Sequence, residues 1–410
     1  MKMANYYTKF VGSLVACAAA ILCALPSPCA HADAADVFNA TVSYSVLYDD
    51  NLFRVSSGTT LSSRYTPKYD TVHTLGVTGS IDKTLSRQKL HADITVRDNR
   101  YQEHHFLDNR PYNASASWLW QLGDTLDGVL KHANTRSISS FENYQSFMKD
   151  VYRTRTDSAS ARYRFHPDWY VEGFAKSYSA THSQLTTSDV DIHETRLSVT
   201  TQRPSGDRAQ VRLIRREGTY PNHGGGVDYK YSERQVDASM RLVLSGASSV
   251  SGSFGHLQRH NPSAPDRDFS GQIASLAWDW LATAKLSLTA SYERSLGVNE
   301  DILSTYALTD TLHLGATWAA TDKITLQAGI DRWRSDYRGN FELPSWLPRR
   351  HDNGRRLSFG ANYQIMRNLV ASAQLTSSRR DSNYADLGIP YYSGQPYRDK
   401  TAWLSVQYSF

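Results

Sequence analysis

The chain has 410 residues, with 45 basic against 40 acidic side chains, 40% hydrophobic residues and 11% aromatic residues. A mean hydropathy of −0.51 excludes a polytopic helical membrane protein, which needs several apolar runs of about 20 residues. The aromatic content excludes a disordered chain. We therefore expect a sheet-rich protein whose apolar residues are spread singly along strands.

Residues 1–32 have the pattern of a cleaved secretory signal peptide. Lys2 and Lys9 precede an uncharged stretch, and the small-residue site Ala30-His31-Ala32 predicts cleavage before Asp33. A membrane anchor is the alternative, but the apolar stretch is short for a span. All three cysteines lie in this segment, so residues 33–410 are predicted to form one domain without disulfides.

Alternation of apolar and polar residues is the main pattern of the mature chain. It recurs in segments of about ten residues, which is enough to cross a bilayer as tilted strands. The last such segment ends on Tyr408 and Phe410. This aromatic ending resembles the signal by which the barrel-assembly machinery recognises outer-membrane barrels. In a soluble sandwich the apolar face would be the core, whereas in a membrane barrel it contacts lipid and the polar face lines the interior.

Short and long polar connections alternate along the chain. Gly123-Asp124 is an example of the short class, and Asp49 to Asp70 and Leu296 to Ala307 are examples of the long class. Eight short and nine long connections predict an all-β fold, an antiparallel up-and-down transmembrane barrel of about 18 strands (16–18). Its short turns would face the periplasm and its long loops the outside of a Gram-negative bacterium.

Tryptophans give independent support for this topology. Six of the nine fall beside predicted periplasmic turns, where an interfacial aromatic girdle is expected. They are Trp118, Trp120, Trp169, Trp278, Trp280 and Trp318. The alternative is a soluble all-β core that uses Trp near its turns.

A barrel of this size encloses more space than side chains can fill, so a water-filled pore is expected. Its inward residues carry both signs of charge, which is usual for a solvated wall. A carbohydrate path is the sharper hypothesis, because sugars bind charged groups and aromatic faces together. The candidate sugar contacts are Tyr170, Glu172, Phe174, Lys176 and Tyr178 on one strand face, with Arg162, Arg212 and Asp331 as further lumen residues.

The string Tyr48-Asp49-Asp50-Asn51-Leu52-Phe53-Arg54 resembles the EpsL-type outer-membrane proteins associated with exosortase and exopolysaccharide biosynthesis operons. The likeness continues through Arg87-Gln88-Lys89-Leu90 and Trp118-Leu119-Trp120-Gln121-Leu122-Gly123. Val55 departs from the Leu expected after the arginine. The resemblance implies a β-barrel that takes part in making or exporting an extracellular polysaccharide, as its outer-membrane conduit.

Within this string, Asp49, Asp50, Asn51 and Arg54 form a first-loop motif with two interpretations. In one, the carboxylates and the amide accept local backbone hydrogen bonds, and Arg54 pairs with Asp49 or Asp50. In the other, the motif contacts substrate or a partner directly. The resemblance itself implies no catalytic residue.

Two further function classes stay open beside export: a general diffusion porin, with or without an inward-folded loop, and a barrel-based outer-membrane lipid hydrolase. The sequence contains no Gly-x-Ser-x-Gly elbow, and the adjacent pair His104-His105 would point apart on an extended loop. We therefore predict that the protein is not an enzyme and has no catalytic, cofactor-binding or metal-binding residues.

The expected partners follow from this location. They are outer-membrane lipid or lipopolysaccharide, an extracellular polysaccharide, the barrel-assembly machinery and periplasmic export components. The near-balance of basic and acidic residues gives no reason to propose nucleic acid.

Overall fold

The computed structural model describes residues 37–142, 147–222, 229–263, 265, 268–301, 304–338, 348–384 and 396–410. The predicted signal peptide and residues 33–36 lie outside them. No helix in the described ranges is both long and apolar enough to span a membrane. The described residues form 18 β-strands: β1 (Phe38–Asp49), β2 (Asp70–Leu85), β3 (Gln88–Tyr101), β4 (Tyr112–Leu122), β5 (Leu126–Ile138), β6 (Val151–His166), β7 (Trp169–His182), β8 (Val190–Gln202), β9 (Arg208–Tyr220), β10 (Tyr229–Ser245), β11 (Ser248–His260), β12 (Phe269–Leu281), β13 (Leu286–Asp301), β14 (Ser304–Ala319), β15 (Ile324–Arg338), β16 (His351–Met366), β17 (Leu369–Ser382) and β18 (Tyr397–Ser409).

The sheet is closed into a barrel. Each strand pairs antiparallel with the next one in the chain, and β1 also pairs with β18, from Thr41 opposite Ser409 to Asp49 opposite Thr401. Each described strand therefore has two hydrogen-bonded neighbours, which satisfies its backbone groups without water. The predicted 18-strand up-and-down barrel is confirmed.

Apolar side chains lie on the outside of this barrel. On β3, Leu90 and Ile94 are 40% and 51% exposed, while the alternate positions His91 and Asp93 face inward with their cross-strand partners. The same arrangement holds on the other strands, because side chains at every second position share a face. An exposed apolar band around a closed sheet is the arrangement of a membrane barrel, in which lipid covers this surface.

The six tryptophans singled out from the sequence lie on this outer face, close to the short turns. The indole N–H of Trp118 donates to Gln88 Oε1 at 2.9 Å, and that of Trp278 donates to Ser248 Oγ at 2.9 Å. Trp278 and Trp280 stack with ring centroids 5.4 Å apart. Rings with an apolar body and a bonded polar edge suit the membrane interface.

The long connection predicted from Leu296 to Ala307 is wrong. Here β13 continues to Asp301 and β14 begins at Ser304, with a register shift after Val298. Tyr306 and Leu308 are buried in a cluster with Leu257 and Phe269. Burial of these side chains favours continued strand pairing over the loop that the polar residues of this segment had indicated.

The loops that follow β1, β3 and β5 pack together over the extracellular mouth. Phe53 is fully buried at their centre, with its ring centroid 5.0 Å from Phe141 and 5.2 Å from Phe147. His104 lies at 4.8 Å from the same ring and bonds Asp70 Oδ2 through Nδ1 at 2.8 Å. The three loops thus share one apolar core and are held as a unit above the lumen.

Candidate lumen site

A row of alternating charges crosses the inner wall of β7–β11. Cross-strand register places Lys176, Glu194, Arg216, Glu233 and Arg259 directly beside one another. Arg216 Nη2 lies 2.8 Å from Glu194 Oε2, and its Nη1 bonds Glu233. Arg259 Nη2 lies 2.6 Å from the other oxygen of Glu233. We call these five residues the upper charged row.

Burial makes the pairing in the upper charged row obligatory. The side chains of Glu194 and Glu233 are only 4% and 3% exposed. The Arg259 guanidinium is enclosed between the rings of Tyr231 and Tyr306, at 4.0 and 4.9 Å from their centroids. A carboxylate so far removed from water is stable only beside its cationic partners.

A second row crosses the wall four residues lower along β7, toward the periplasm. It contains Asp127, Arg162, Glu172, Arg212 and Asp237, with Ser198 between Glu172 and Arg212. Two bonds, of 3.1 and 2.6 Å, join Arg162 to Asp127, and Arg212 Nε lies 2.6 Å from Asp237 Oδ1. We call this the lower charged row.

All three predicted sugar-contacting aromatics have protein neighbours. The guanidinium of Arg162 lies 5.1 Å from the ring centroid of Tyr170, which is 5% exposed. Arg196 lies 4.5 Å from the ring centroid of Phe174, between the two charged rows. Tyr178 bonds the hydroxyl of Tyr152 at 3.0 Å. Each ring is thus engaged by a neighbouring side chain, and a solute in the lumen would meet the Arg196–Phe174 pair, since the ring of Tyr170 is buried.

Most of the predicted lumen residues come together on this wall, but Asp331 does not. It lies on β15 and bonds His313 Nδ1 at 2.6 Å. Register places Arg356 and Ser378 next to it on β16 and β17. Asp331 therefore belongs to a separate wall of the barrel.

The loop after β5 extends over the mouth toward that second wall. Glu142 Oε1 accepts a hydrogen bond from the Tyr397 hydroxyl at 2.7 Å and lies 3.9 Å from Arg356 Nη2. The base of this loop is held by Asp150, which accepts bonds from Ser139 Oγ at 2.5 Å and from the backbone of Gln184 at 2.7 Å. Burial raises the pKa of Asp150, but these hydrogen bonds lower it by more, so the pKa lies below its usual value.

The first-loop motif fastens the loop after β1 to β18. Asn51 Nδ2 donates to the carbonyls of Val55 and Arg398 at 2.8 Å each, and the backbone N–H of Lys400 donates to Asp50 Oδ1 at 2.6 Å. Arg54 Nη1 lies 2.9 Å from Asp49 Oδ1. Burial opposes the charge of Arg54, yet the bond and charge of Asp49 raise its pKa. The motif thus makes the local contacts of the first interpretation, including the pair of Arg54 with Asp49.

Sequence reasoning missed Glu194, Arg196, Arg216, Glu233 and Arg259. Period two would have placed all of them inward, since Glu194 and Arg196 alternate with outward Thr195 and Leu197. Glu142 carried no comparable signal, because it lies on a loop and meets Tyr397 far along the chain.

No protein-family model and no curated protein matches the sequence. Solved structures do match the fold: OccK9 (OpdG) of Pseudomonas aeruginosa has a TM-score of 0.53 at 10% identity, covering 91% of this chain and 98% of that chain. OccAB3 of Acinetobacter baumannii has a TM-score of 0.50 at 9% identity, covering 91% and 99%. The outer membrane protein opdK of P. aeruginosa has a TM-score of 0.50 at 6% identity, covering 91% and 98%.

This chain has the fold of an outer-membrane β-barrel. The closed sheet, its outward apolar band and the shared fold place it in the outer membrane of a Gram-negative bacterium. At such low identities the likeness concerns the fold, so the chemistry of the barrel has to come from its own side chains. Within the described residues, no group of three or more His, Cys, Asp or Glu side chains is arranged to hold a metal ion.

The lumen wall of this barrel is suited to hydrogen bonding with a passing solute. Arg162 keeps 34% of its side chain exposed and Arg212 keeps 27%, although both are held by carboxylates. Ion-paired guanidinium groups retain free N–H donors, and paired carboxylates retain lone pairs. A hydroxyl-rich solute can therefore exchange partners along the wall without unpairing a buried charge.

Proposed function

We propose that this barrel takes part in extracellular polysaccharide biosynthesis as the outer-membrane conduit for the polymer. The observation that carries the proposal is the β5–β11 wall, where two charged rows enclose the Arg196–Phe174 pair. Sugar rings present hydroxyls at their edges and C–H groups on their faces. Such a wall offers both kinds of contact at spacings of one strand, about 4.8 Å.

The resemblance of the first-loop string to EpsL-type proteins supports the same proposal from the sequence. That string holds the first loop against β18 through Asn51 and Asp50. A fixed first loop keeps Phe53 in the loop core above the lumen. The motif would then shape the extracellular exit of the conduit and need not touch the polymer.

The test is deletion in the native host, followed by assay of polymer outside the cell and in the periplasm. We expect loss outside and accumulation in the periplasm, both reversed by the wild-type chain. A complementing Phe174→Ala/Arg196→Gln variant should restore secretion only partly. The matched control is Leu197→Ala/Val199→Ala on the outward face of β8, which should restore it fully. Unchanged secretion in the deletion strain would refute the conduit.

A general diffusion porin is the second candidate, and the loop carrying Glu142 favours it. A loop held to Tyr397 through Glu142 would narrow the opening, which suits small solutes better than a polymer. Planar-bilayer recordings separate the two functions. A large, steadily open conductance that small sugars block, together with normal polymer secretion in the deletion strain, would establish the porin instead.

A further inference from the structure

Four arginines form a row on the outer surface of the barrel, on the side opposite to the lumen. Arg332 of β15 is in direct register with Arg355 of β16, which is opposite Arg379 of β17, which is opposite Arg398 of β18. Each strand pair is about 4.8 Å apart, so the four Cα atoms span about 15 Å. We call this set the outer arginine row.

The outer arginine row faces away from the lumen. Its alternate neighbours on the same strands, such as Asp331, Arg356 and Asp399, belong to the inward face. Arg332, Arg355 and Arg398 are exposed. The row is therefore separate from the charged rows that serve the proposed function.

The height of the row is set by the apolar band beneath it. On the outward face, Ile330 and Leu357 lie one position closer to the periplasm than Arg332 and Arg355, and both are more than 40% exposed. On β16 the outward apolar positions then continue through Phe359 to Tyr363. All four arginines lie in the halves of their strands that join the long loops. The row thus marks the extracellular edge of the apolar band, at the level of the outer-leaflet headgroups.

The charges of the row are poorly compensated by the protein. Arg379 pairs with Asp381 at 2.8 Å, but within the described ranges no acidic side chain lies at ion-pair distance from Arg332, Arg355 or Arg398. Lys400 adds a further exposed cation two residues below Arg398. Like charges directly opposite each other on neighbouring strands destabilise a sheet, so this arrangement calls for an external anion.

Three outward arginines on other strands differ in this respect. Arg100, Arg155 and Arg215 each bond an acidic residue two positions away on the same strand, at 2.8, 2.8 and 2.6 Å. Their partners are Asp98, Asp157 and Glu217. Arg100, Arg155 and Arg215 are thus neutralised within their own strands, whereas Arg332, Arg355 and Arg398 have no such partner within the described ranges.

We infer that the outer arginine row binds the phosphorylated headgroup of an anionic outer-leaflet glycolipid, lipopolysaccharide. Arginine forks match phosphate oxygens two at a time, and a headgroup that carries more than one phosphate fits a row about 15 Å long. The acyl chains of the same molecule would lie against Ile330, Leu357 and Phe359 below. A soluble anion has no apolar part that could contact this adjoining surface, which is why we assign the row to a lipid.

The test uses the full chain with Arg332→Gln, Arg355→Gln and Arg398→Gln combined. The matched control combines Arg100→Gln, Arg155→Gln and Arg215→Gln, which removes the same charge from paired sites on the same outer face. Each barrel is purified in mild detergent, and the lipopolysaccharide retained per barrel is measured. Heat-modifiable gel mobility verifies folding, and the single variant Arg355→Gln replaces the triple if that one does not fold.

We expect the row variant to retain roughly tenfold less lipopolysaccharide than the wild type, and the control to retain the wild-type amount. Binding of purified lipopolysaccharide, its dephosphorylated form and inorganic phosphate to the delipidated wild-type barrel then identifies the ligand. Strong binding of the first alone supports the inference. Equal losses of lipopolysaccharide in both triple variants would show that net charge, and not the row, determines retention. Equal binding of the dephosphorylated form, or of inorganic phosphate, would overturn the lipid-phosphate site.

Discussion

Tyr397 on β18 donates its hydroxyl to Glu142 on the loop after β5, at 2.7 Å. Arg356 Nη2 lies 3.9 Å from the same carboxylate. Side chains of β16 and β18 therefore hold a loop that begins at the end of β5. A hydrogen bond to a charged group contributes about 1.5–3 kcal/mol. The Tyr397 hydroxyl therefore fixes the tip of the loop at Glu142, beyond the apolar core around Phe53.

Tyr397→Phe should loosen this loop and enlarge the opening at the mouth. The substitution keeps the ring between Arg380 and Arg54 and removes only the hydroxyl. We expect a higher mean single-channel conductance with more frequent steps between levels. Tyr44→Phe is the control, since its hydroxyl bonds His73 on the outer face. Identical recordings for wild type and Tyr397→Phe would show that the loop does not restrict flow.

Glu233→Gln should destabilise the barrel, because it leaves Arg216 and Arg259 facing each other without a carboxylate between them. Breaking a buried ion pair in this way costs about 3–5 kcal/mol. Glu217→Gln is the matched control, since that exposed carboxylate pairs with Arg215 on the outer face and its loss should cost under about 1 kcal/mol. Unfolding in denaturant, followed by gel mobility, measures both. Equal denaturant midpoints for the two variants would show that the upper charged row does not stabilise the barrel.

Acid should release the contact between Asp150 and the loop after β7. The pKa of this carboxyl is lower in the folded protein than its ordinary 3.8. A lowered pKa means that the contact contributes fully above pH 4 and is lost as the pH falls through the folded-state value. Hydrogen exchange at Gln184 and Leu185, corrected for its intrinsic pH dependence, should accelerate in that acid range. In an Asp150→Ala variant both amides should exchange quickly at every pH, and protection that persists in this variant would show that Asp150 does not hold them.

Gly354→Ala should cost stability through a steric clash. A Cβ at this position would lie 1.9 Å from the ring of Trp333 on the neighbouring strand, so the indole or the backbone must move. Overpacking of this kind costs about 1–3 kcal/mol. Gly173→Ala is the natural comparison, because the space around its Cβ is open to 4 Å. Thermal unfolding should separate the two variants, and an unshifted Gly354→Ala would mean that Trp333 relocates freely.

The sequence predicted the barrel because the decisive information is local. Alternation of Leu357 and Phe359 with Arg356 and Ser358 requires no knowledge of neighbouring strands. The number of polar connections then gives the number of strands. The failure at Leu296 to Ala307 has the opposite cause, since Tyr306 is buried by Phe269, which lies on another strand.

The charge partners of the lumen were beyond the reach of the sequence for the same reason. Inward placement of Glu233 follows from period two, but its contact with Arg259 depends on the register of the β10–β11 hairpin. A bulge between Val243 and Ser245 sets that register, and a slip of one residue would turn the carboxylate outward. The outer arginine row depends in the same way on three successive hairpin registers.

The two charged rows of the β5–β11 wall have opposite excesses. The upper row holds three cations and two anions, and the lower row holds three anions and two cations. Summed together they cancel, so the electrostatic potential changes sign from strand to strand and fades a short distance into the water. A small ion would therefore have no strong binding site on this wall, whereas a neutral polymer rich in hydroxyls could form hydrogen bonds along its whole width.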